Sequence, residues 1–107
     1  MSVLMMLRLD ADPAKFEEVA AANPEKFTGI RDRAVGKGLI AHRFIGRVDG
    51  GEIMVVDEWE SADQFEAFFG EVAEDVGELM QQVGVTSQPA PEFWRVLESH
   101  DKYGWEN

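Results

Sequence analysis

The chain of 107 residues contains no cysteine and only two histidines, His42 and His100. The lack of cysteine excludes disulfide bonds, thiolate nucleophiles and sulfur-ligated metal sites. The two histidines are not accompanied by Asp, Glu or His at the spacing of a metal site, and the sequence has no glycine-rich phosphate loop. We therefore expect no bound metal.

Positive charge is also scarce, with 10 basic residues against 21 acidic residues and a net charge of -11. No Lys or Arg lies between Arg47 and Arg95. Such a chain repels nucleic acid and anionic membranes, so we expect neither as a partner. Its apolar start, Ser2 to Leu7, is too short for a membrane span and has no basic residue before it, which predicts a cytoplasmic protein without a signal peptide.

The length predicts one domain over 1–107, in which 99–107 form a polar C-terminal tail. A domain of this size buries only about 60 to 65 % of the surface of its unfolded chain. With 45 % hydrophobic residues, apolar surface is left over. We expect a partner chain to cover it.

The first part of the chain alternates between strand and helix signals. Val3 to Leu9 is nearly all apolar and predicts a buried strand. Helical spacing of apolar residues follows from Pro13 to Val35. Pro24 interrupts that spacing, which indicates two short helices or one kinked helix.

The middle of the chain predicts a β-hairpin. Leu39 to Val48 forms one strand, with Ile40, His42 and Phe44 on one face. Asp49-Gly50-Gly51 provides the turn, because glycine tolerates the positive φ angles that tight hairpins need. Ile53 to Trp59 forms the returning strand and places Asp57 on the same face as Trp59.

Ser61 then begins a second helical region, in which Phe65, Phe68 and Phe69 share one face and the apolar pattern continues to Val83. Phe93 to Leu97 predicts a fourth strand. The order of these elements predicts an α+β, ferredoxin-like split βαβ fold, with a four-stranded antiparallel sheet and helices on one face. The uncovered face predicts a homodimer in which two sheets pack together as a dimeric α+β barrel.

Three segments carry a resemblance to a known family. They are Gly38-Leu39-Ile40, the Asp49-Gly50-Gly51 turn, and Val55-Val56-Asp57-Glu58-Trp59-Glu60-Ser61 leading into Asp63-Gln64-Phe65. In these segments the chain resembles the antibiotic biosynthesis monooxygenase-like group of the dimeric α+β barrel superfamily. The resemblance implies a monooxygenase-like protein that binds a small molecule, such as a cofactor-independent oxygenase for an aromatic or polyketide-like substrate.

The same resemblance disfavours haem degradation. In the haem-degrading branch of the family, an Asn on the first strand, a Trp that ends the third strand and a His on the following helix line the pocket. Trp59 matches the Trp, but Met5 stands near the Asn position and Phe68 or Phe69 stands where the His would fall. Haem iron needs an axial ligand that these side chains do not supply in its usual form, so we expect no cofactor.

His42 and Asp57 are the candidate catalytic residues. A histidine oriented by a carboxylate is a competent general base, and the hairpin brings His42 near Asp57 or Trp59. Asp57 interrupts an apolar face and must find a partner, for which Arg8, Arg43, Arg95 and His42 are candidates. His42 as a structural surface or interface residue, and Asp57 as a structural ion pair, remain open alternatives.

Trp59, Met5, Phe65 and Phe69 are the candidate substrate-binding residues, as the walls of an apolar pocket between sheet and helix. The same residues could equally form the core. Two other functions therefore remain open: a non-catalytic binding or interaction module whose interior is filled by side chains, and an aldol-type cyclase or isomerase, which needs only one base and an apolar pocket.

Overall fold

The structure is a computed structural model that describes residues 1–105. The predicted tail therefore ends outside the described residues, at positions 106 and 107. The elements are β1 (Val3–Leu9), α1 (Pro13–Ala22), α2 (Pro24–Val35), β2 (Leu39–Gly46), β3 (Ile53–Trp59), α3 (Ala62–Val83) and β4 (Glu92–Trp94).

The four strands form one antiparallel sheet in the order β2-β3-β1-β4. This order, with helices between β1 and β2 and between β3 and β4, confirms the predicted ferredoxin-like α+β fold. Two helices rather than one kinked helix follow β1. Asp12 accepts a hydrogen bond from the Ala14 backbone N–H at 3.1 Å to cap α1, and Asn23 separates the helices because Pro24 begins the second one.

The helices cover one face of the sheet, and the core lies between them. Alternate residues of β1 and β3 are buried on this face, in the pattern that a period of two requires. Phe65 and Val72 of α3 pack into the same core. The core residues from the strands are Met5, Leu7, Leu9, Ile53, Val55 and Trp59.

The opposite face of the sheet has no helix or strand over it among residues 1–105. We call this surface the open sheet face. It is formed by Leu4, Met6, Arg8, Ala41, Arg43, Ile45, Met54, Val56, Glu58, Glu92 and Trp94. Its apolar side chains are only partly shielded by their strand neighbours, and Ile45 is 48 % exposed.

One face assignment in β2 was wrong. Ile40 was predicted to share a face with His42, but a β-bulge separates Leu39 from Ala41 in the pairing with β3. The extra residue reverses the alternation, so Leu39 packs against the core while Ile40 is exposed. The strand also ends at Gly46, two residues earlier than predicted.

The predicted fourth strand was too long. It was expected over Phe93 to Leu97, whereas β4 ends at Trp94. Because Trp94 pairs with Leu4, Val96 and Leu97 would lie opposite Ser2 and Met1, which precede β1. Val96 and Leu97 therefore have no strand partner within residues 1–105. At the other end, Pro91 lacks the N–H group that would extend the ladder.

Asp10, directly after β1, holds the segment that follows α3. Its carboxylate accepts hydrogen bonds from the Thr86 hydroxyl at 2.9 Å and from the Thr86 and Ser87 backbone N–H groups. These bonds lower the pKa of Asp10 to about 2, and the bond from the Thr86 hydroxyl makes the largest contribution. The carboxylate therefore keeps its charge in ordinary buffers.

Within residues 1–105, no helix is both long enough and apolar enough to span a bilayer.

The junction between β3 and α3 packs against Gly38. The Ser61 hydroxyl caps α3 by accepting from the Gln64 backbone N–H, and the Gln64 side chain donates to the Lys37 carbonyl at 3.2 Å. Glu60 N–H also donates to the Gly38 carbonyl at 2.9 Å. Gly38 has φ +121°, and a Cβ there would lie 2.6 Å from the Gln64 side-chain nitrogen.

We expect Gly38→Ala to lower the free energy of unfolding by about 1–3 kcal/mol, because alanine is strained at this φ and displaces Gln64. Gly70→Ala is the matched control. Gly70 lies within α3 and has open space where a Cβ would go, so alanine is expected to raise that free energy by about 0.5–1 kcal/mol. Urea unfolding measures both. Equal effects of the two substitutions would contradict the role given to Gly38.

Candidate functional site

A cavity of about 240 Å³ lies between the helix-covered face of the sheet and helices α2 and α3. The structure brings all six predicted site residues to its wall. They are Met5, His42, Asp57, Trp59, Phe65 and Phe69. Most of the lining is apolar, and the polar side chains among the lining residues are Thr28, Arg31, His42 and Asp57.

Strand geometry assembles the polar part of this wall. His42 of β2 lies directly opposite Asp57 of β3, and Trp59 follows Asp57 by two residues on the same face. Asp57 is only 6 % exposed. One carboxylate oxygen, Oδ1, lies 2.6 Å from His42 Nδ1, and the other, Oδ2, accepts a hydrogen bond from the Trp59 indole N–H at 3.0 Å. The arginines considered as partners for Asp57 are not the groups that bind it.

These contacts determine how a neutral His42 ring holds its proton. The Asp57 carboxylate can only accept hydrogen bonds, so Nδ1 carries the proton and donates it to Oδ1. Nε2 then keeps its lone pair and has no protein hydrogen-bond partner among the described residues. The ring also packs on Phe44 in a T-shaped arrangement, at a centroid distance of 4.8 Å. With its side chain 26 % exposed, His42 remains accessible from solvent.

Trp59 is nearly fully buried, at 1 % exposure. Phe65 contacts it in a T-shaped arrangement at 5.5 Å, and Phe68 in a tilted one at 5.4 Å. With aromatic neighbours around the ring and the indole N–H on Asp57, the visible role of Trp59 is to hold the carboxylate in place. Its predicted contact with a substrate stays a prediction.

The cavity wall and the core share residues. Phe65 stacks on Phe69 at 5.5 Å with an interplanar angle of 16°, and Met5 is 1 % exposed. The sequence left open whether these residues line a pocket or form the core, and in the structure they do both. The core residues pack against one another and still leave a cavity beside His42 and Asp57.

Sequence reasoning missed the contribution of α2, which supplies Phe27, Thr28, Ile30, Arg31 and Ala34 to the wall. The spacing of apolar residues between Pro13 and Val35 predicted helical structure there, but nothing in the pattern indicated a cavity beneath it. The signal for Trp59 as the partner of Asp57 was present, since residues two apart on a strand share a face. Among residues 1–105, no group of three or more His, Asp or Glu could hold a metal ion.

Solved structures with the same fold were found by structural comparison. A monooxygenase from Streptomyces coelicolor in complex with the ligand nanaomycin D matches with a TM-score of 0.69 and 16 % identity, over 95 % of this chain and 93 % of that chain. A dimeric ferredoxin-like protein from an uncultured marine organism matches with a TM-score of 0.66 and 15 % identity, over 95 % and 93 %. An antibiotic biosynthesis monooxygenase matches with a TM-score of 0.63 and 10 % identity, over 90 % and 99 %.

No protein-family model and no curated protein matches the sequence. The structural matches confirm that the chain shares the ferredoxin-like fold of antibiotic biosynthesis monooxygenases, the group that the sequence resembles. At these identities they show the fold, whereas activity has to be argued from the site.

A double-mutant cycle on Asp57 and Trp59 tests their hydrogen bond. Trp59→Phe leaves a buried carboxylate oxygen without its donor, so we expect a loss of about 1–3 kcal/mol in the free energy of unfolding. Asp57→Val combined with Trp59→Phe removes both partners, and the pair should then differ from the sum of the single changes by about 0.5–3 kcal/mol.

Trp105→Phe serves as the control for this cycle, because Trp105 is 84 % exposed. We expect it to change the free energy of unfolding by less than about 0.5 kcal/mol. Strict additivity of the Asp57 and Trp59 substitutions would show that the two side chains do not interact.

Proposed function

We propose that the chain is a monooxygenase-like protein that binds a small aromatic molecule and oxidises it with dioxygen, with His42 as the proton acceptor. The observation that carries this proposal is the hydrogen-bonded set His42–Asp57–Trp59 in the wall of an otherwise apolar cavity. A volume of about 240 Å³ is just below the range of roughly 300–1,000 Å³ typical of ligand pockets. It suits a compact fused-ring substrate.

The chemistry begins with a phenol whose hydroxyl proton passes to Nε2 of His42. Asp57 stabilises the imidazolium that forms, as a carboxylate does when it orients a catalytic histidine. The resulting phenolate is electron-rich and reacts with dioxygen. One oxygen atom enters the ring to give a quinone, and the other leaves as water with the two hydrogens that the phenol loses.

Each candidate residue has a role in this scheme. Asp57 positions His42 and offsets its charge, and Trp59 fixes Asp57 through the indole N–H. Met5, Phe65 and Phe69 form apolar walls that exclude water and pack against the substrate rings. The similar monooxygenase from Streptomyces coelicolor, in complex with the ligand nanaomycin D, supports the use of this fold to bind a small molecule.

A cyclase or isomerase is the second candidate, because the cavity presents one base in apolar surroundings and little else that is polar. Aldol-type chemistry needs no more than that. Its distinguishing property is that it proceeds without dioxygen. A non-catalytic binding module is less well supported, since the interior holds a cavity with a polar group in its wall.

Dioxygen uptake with a panel of fused-ring phenols, such as 1-naphthol and anthrol, tests the proposal. We expect quinone formation that consumes one dioxygen per phenol and that falls by about 10²-fold or more in His42→Gln, because glutamine cannot act as the base. His100→Gln is the control and should leave the rate unchanged, since His100 lies outside the cavity lining. Product formation without dioxygen would instead select the cyclase, and a rate independent of His42 would contradict the proposal.

The proposed assembly is a homodimer formed through the open sheet face. That face carries the apolar side chains Leu4, Met6, Met54 and Val56, and bare apolar surface of this kind marks an interaction site. Val96 and Leu97, at 67 % and 66 % exposure, are apolar residues that have no strand partner among residues 1–105. The similar protein from the marine organism is described as dimeric, which supports the same arrangement here.

Light scattering tests the dimer. We expect a mass of twice 12.0 kDa for the wild-type chain at micromolar concentration. Val56→Lys should shift the mass toward that of one chain, because it buries a charge in the interface. Ala67→Lys adds the same charge to an exposed position of α3 and should leave the dimer intact. A wild-type chain that stays monomeric would contradict the proposed assembly.

A further inference from the structure

Arg31 on α2 is an unusual part of the cavity wall. Of the residues that line the cavity, it alone carries a permanent positive charge. Its side chain is 50 % exposed, so it lies where the cavity meets solvent. The reaction proposed above does not use it.

The other basic side chains of this helix and its C-terminal end have different partners. Each of them forms an ion pair with a carboxylate of α3. The pairs are Lys26–Glu78 at 3.7 Å, Arg33–Asp75 at 3.8 Å and Lys37–Glu71 at 3.3 Å. These pairs join the two helices, whereas Arg31 makes no such contact among the described residues.

Among residues 1–105, the polar contacts of Arg31 are all with the residue that follows it. Its Nε and Nη2 groups donate to Asp32 Oδ1 at 3.2 and 3.0 Å. A guanidinium group has five N–H donors, and this contact occupies two of them. Exposed ion pairs of this type contribute only about 0–1 kcal/mol, so the contact does not prevent a second anion from binding.

The net charge of the chain determines what Arg31 can contribute at the cavity. At a net charge of -11, the protein repels anions, and Asp57 adds a negative charge to the cavity wall. A negatively charged substrate therefore needs local compensation at the cavity, and Arg31 is placed to supply it. A neutral aromatic molecule would need no such group.

We infer that Arg31 selects an aromatic carboxylate, with the rings in the cavity and the carboxylate on the guanidinium at its mouth. The planar N–H donors of arginine match the two oxygens of a carboxylate. This inference rests on the proposed function in one respect, the use of the cavity for an aromatic ligand. It adds the substrate class and a specificity-determining residue.

Binding of 2-naphthoate and 2-naphthamide, measured by calorimetry, tests the inference. The two ligands have nearly the same shape and differ in charge. We expect wild-type protein to bind the naphthoate more tightly than the amide, and Arg31→Gln to weaken naphthoate binding by about threefold to fivefold while changing amide binding by less than about twofold. Added salt should weaken only the naphthoate.

Arg33→Gln removes the same charge from the same helix at a position outside the cavity lining and is the matched control. It should leave both affinities unchanged. Equal binding of both ligands, with no effect of Arg31→Gln, would overturn the inference and leave the proposed function standing. Equal losses of naphthoate affinity in Arg31→Gln and Arg33→Gln would also overturn it, because the net charge of the protein and not the position of Arg31 would then explain binding. Failure of wild-type protein to bind the naphthoate would likewise overturn the inference, whereas the proposed function stands or falls with dioxygen uptake on the phenols.

Discussion

The structure depends on a buried carboxylate that must be satisfied. Asp57 is 6 % exposed, and an unpaired carboxylate at such a site would cost several kcal/mol. His42 and Trp59 meet this requirement, one at each oxygen. The same two hydrogen bonds orient a histidine at a cavity and fix an aromatic ring in the core, so stability and the proposed chemistry share one set of atoms.

The hairpin determines the geometry of the hydrogen-bonded set His42–Asp57–Trp59. The turn at Asp49-Gly50-Gly51 fixes the register that places His42 opposite Asp57. A slip of one residue would turn His42 to the open sheet face and leave Asp57 with Trp59 as its one partner. The bulge at Ile40 lies beyond His42 from the turn, so it moves Leu39 to the cavity side without disturbing the His42–Asp57 pair.

Much of the fold followed from local patterns in the sequence. The period of two in β3, the capping residue Ser61 of α3, and the glycines of the hairpin act within a few residues, which is why they could be recognised. The bulge at Ile40 and the early end of β4 depend on which residues the partner strands still have available. The contribution of Arg31 to the cavity depends on how α2 packs over the sheet, and no spacing within α2 encodes it.

Asp57 holds the neutral His42 ring with its proton on Nδ1 and its lone pair on Nε2, and the proposed chemistry depends on this arrangement. Two-bond ¹H–¹⁵N correlation spectra of protein labelled with ¹⁵N-histidine measure this directly, since protonated and unprotonated ring nitrogens resonate far apart. The account predicts a protonated Nδ1 and an unprotonated Nε2 for His42. A neutral ring protonated on Nε2 would contradict it, because His42 would then have no lone pair there to accept a substrate proton.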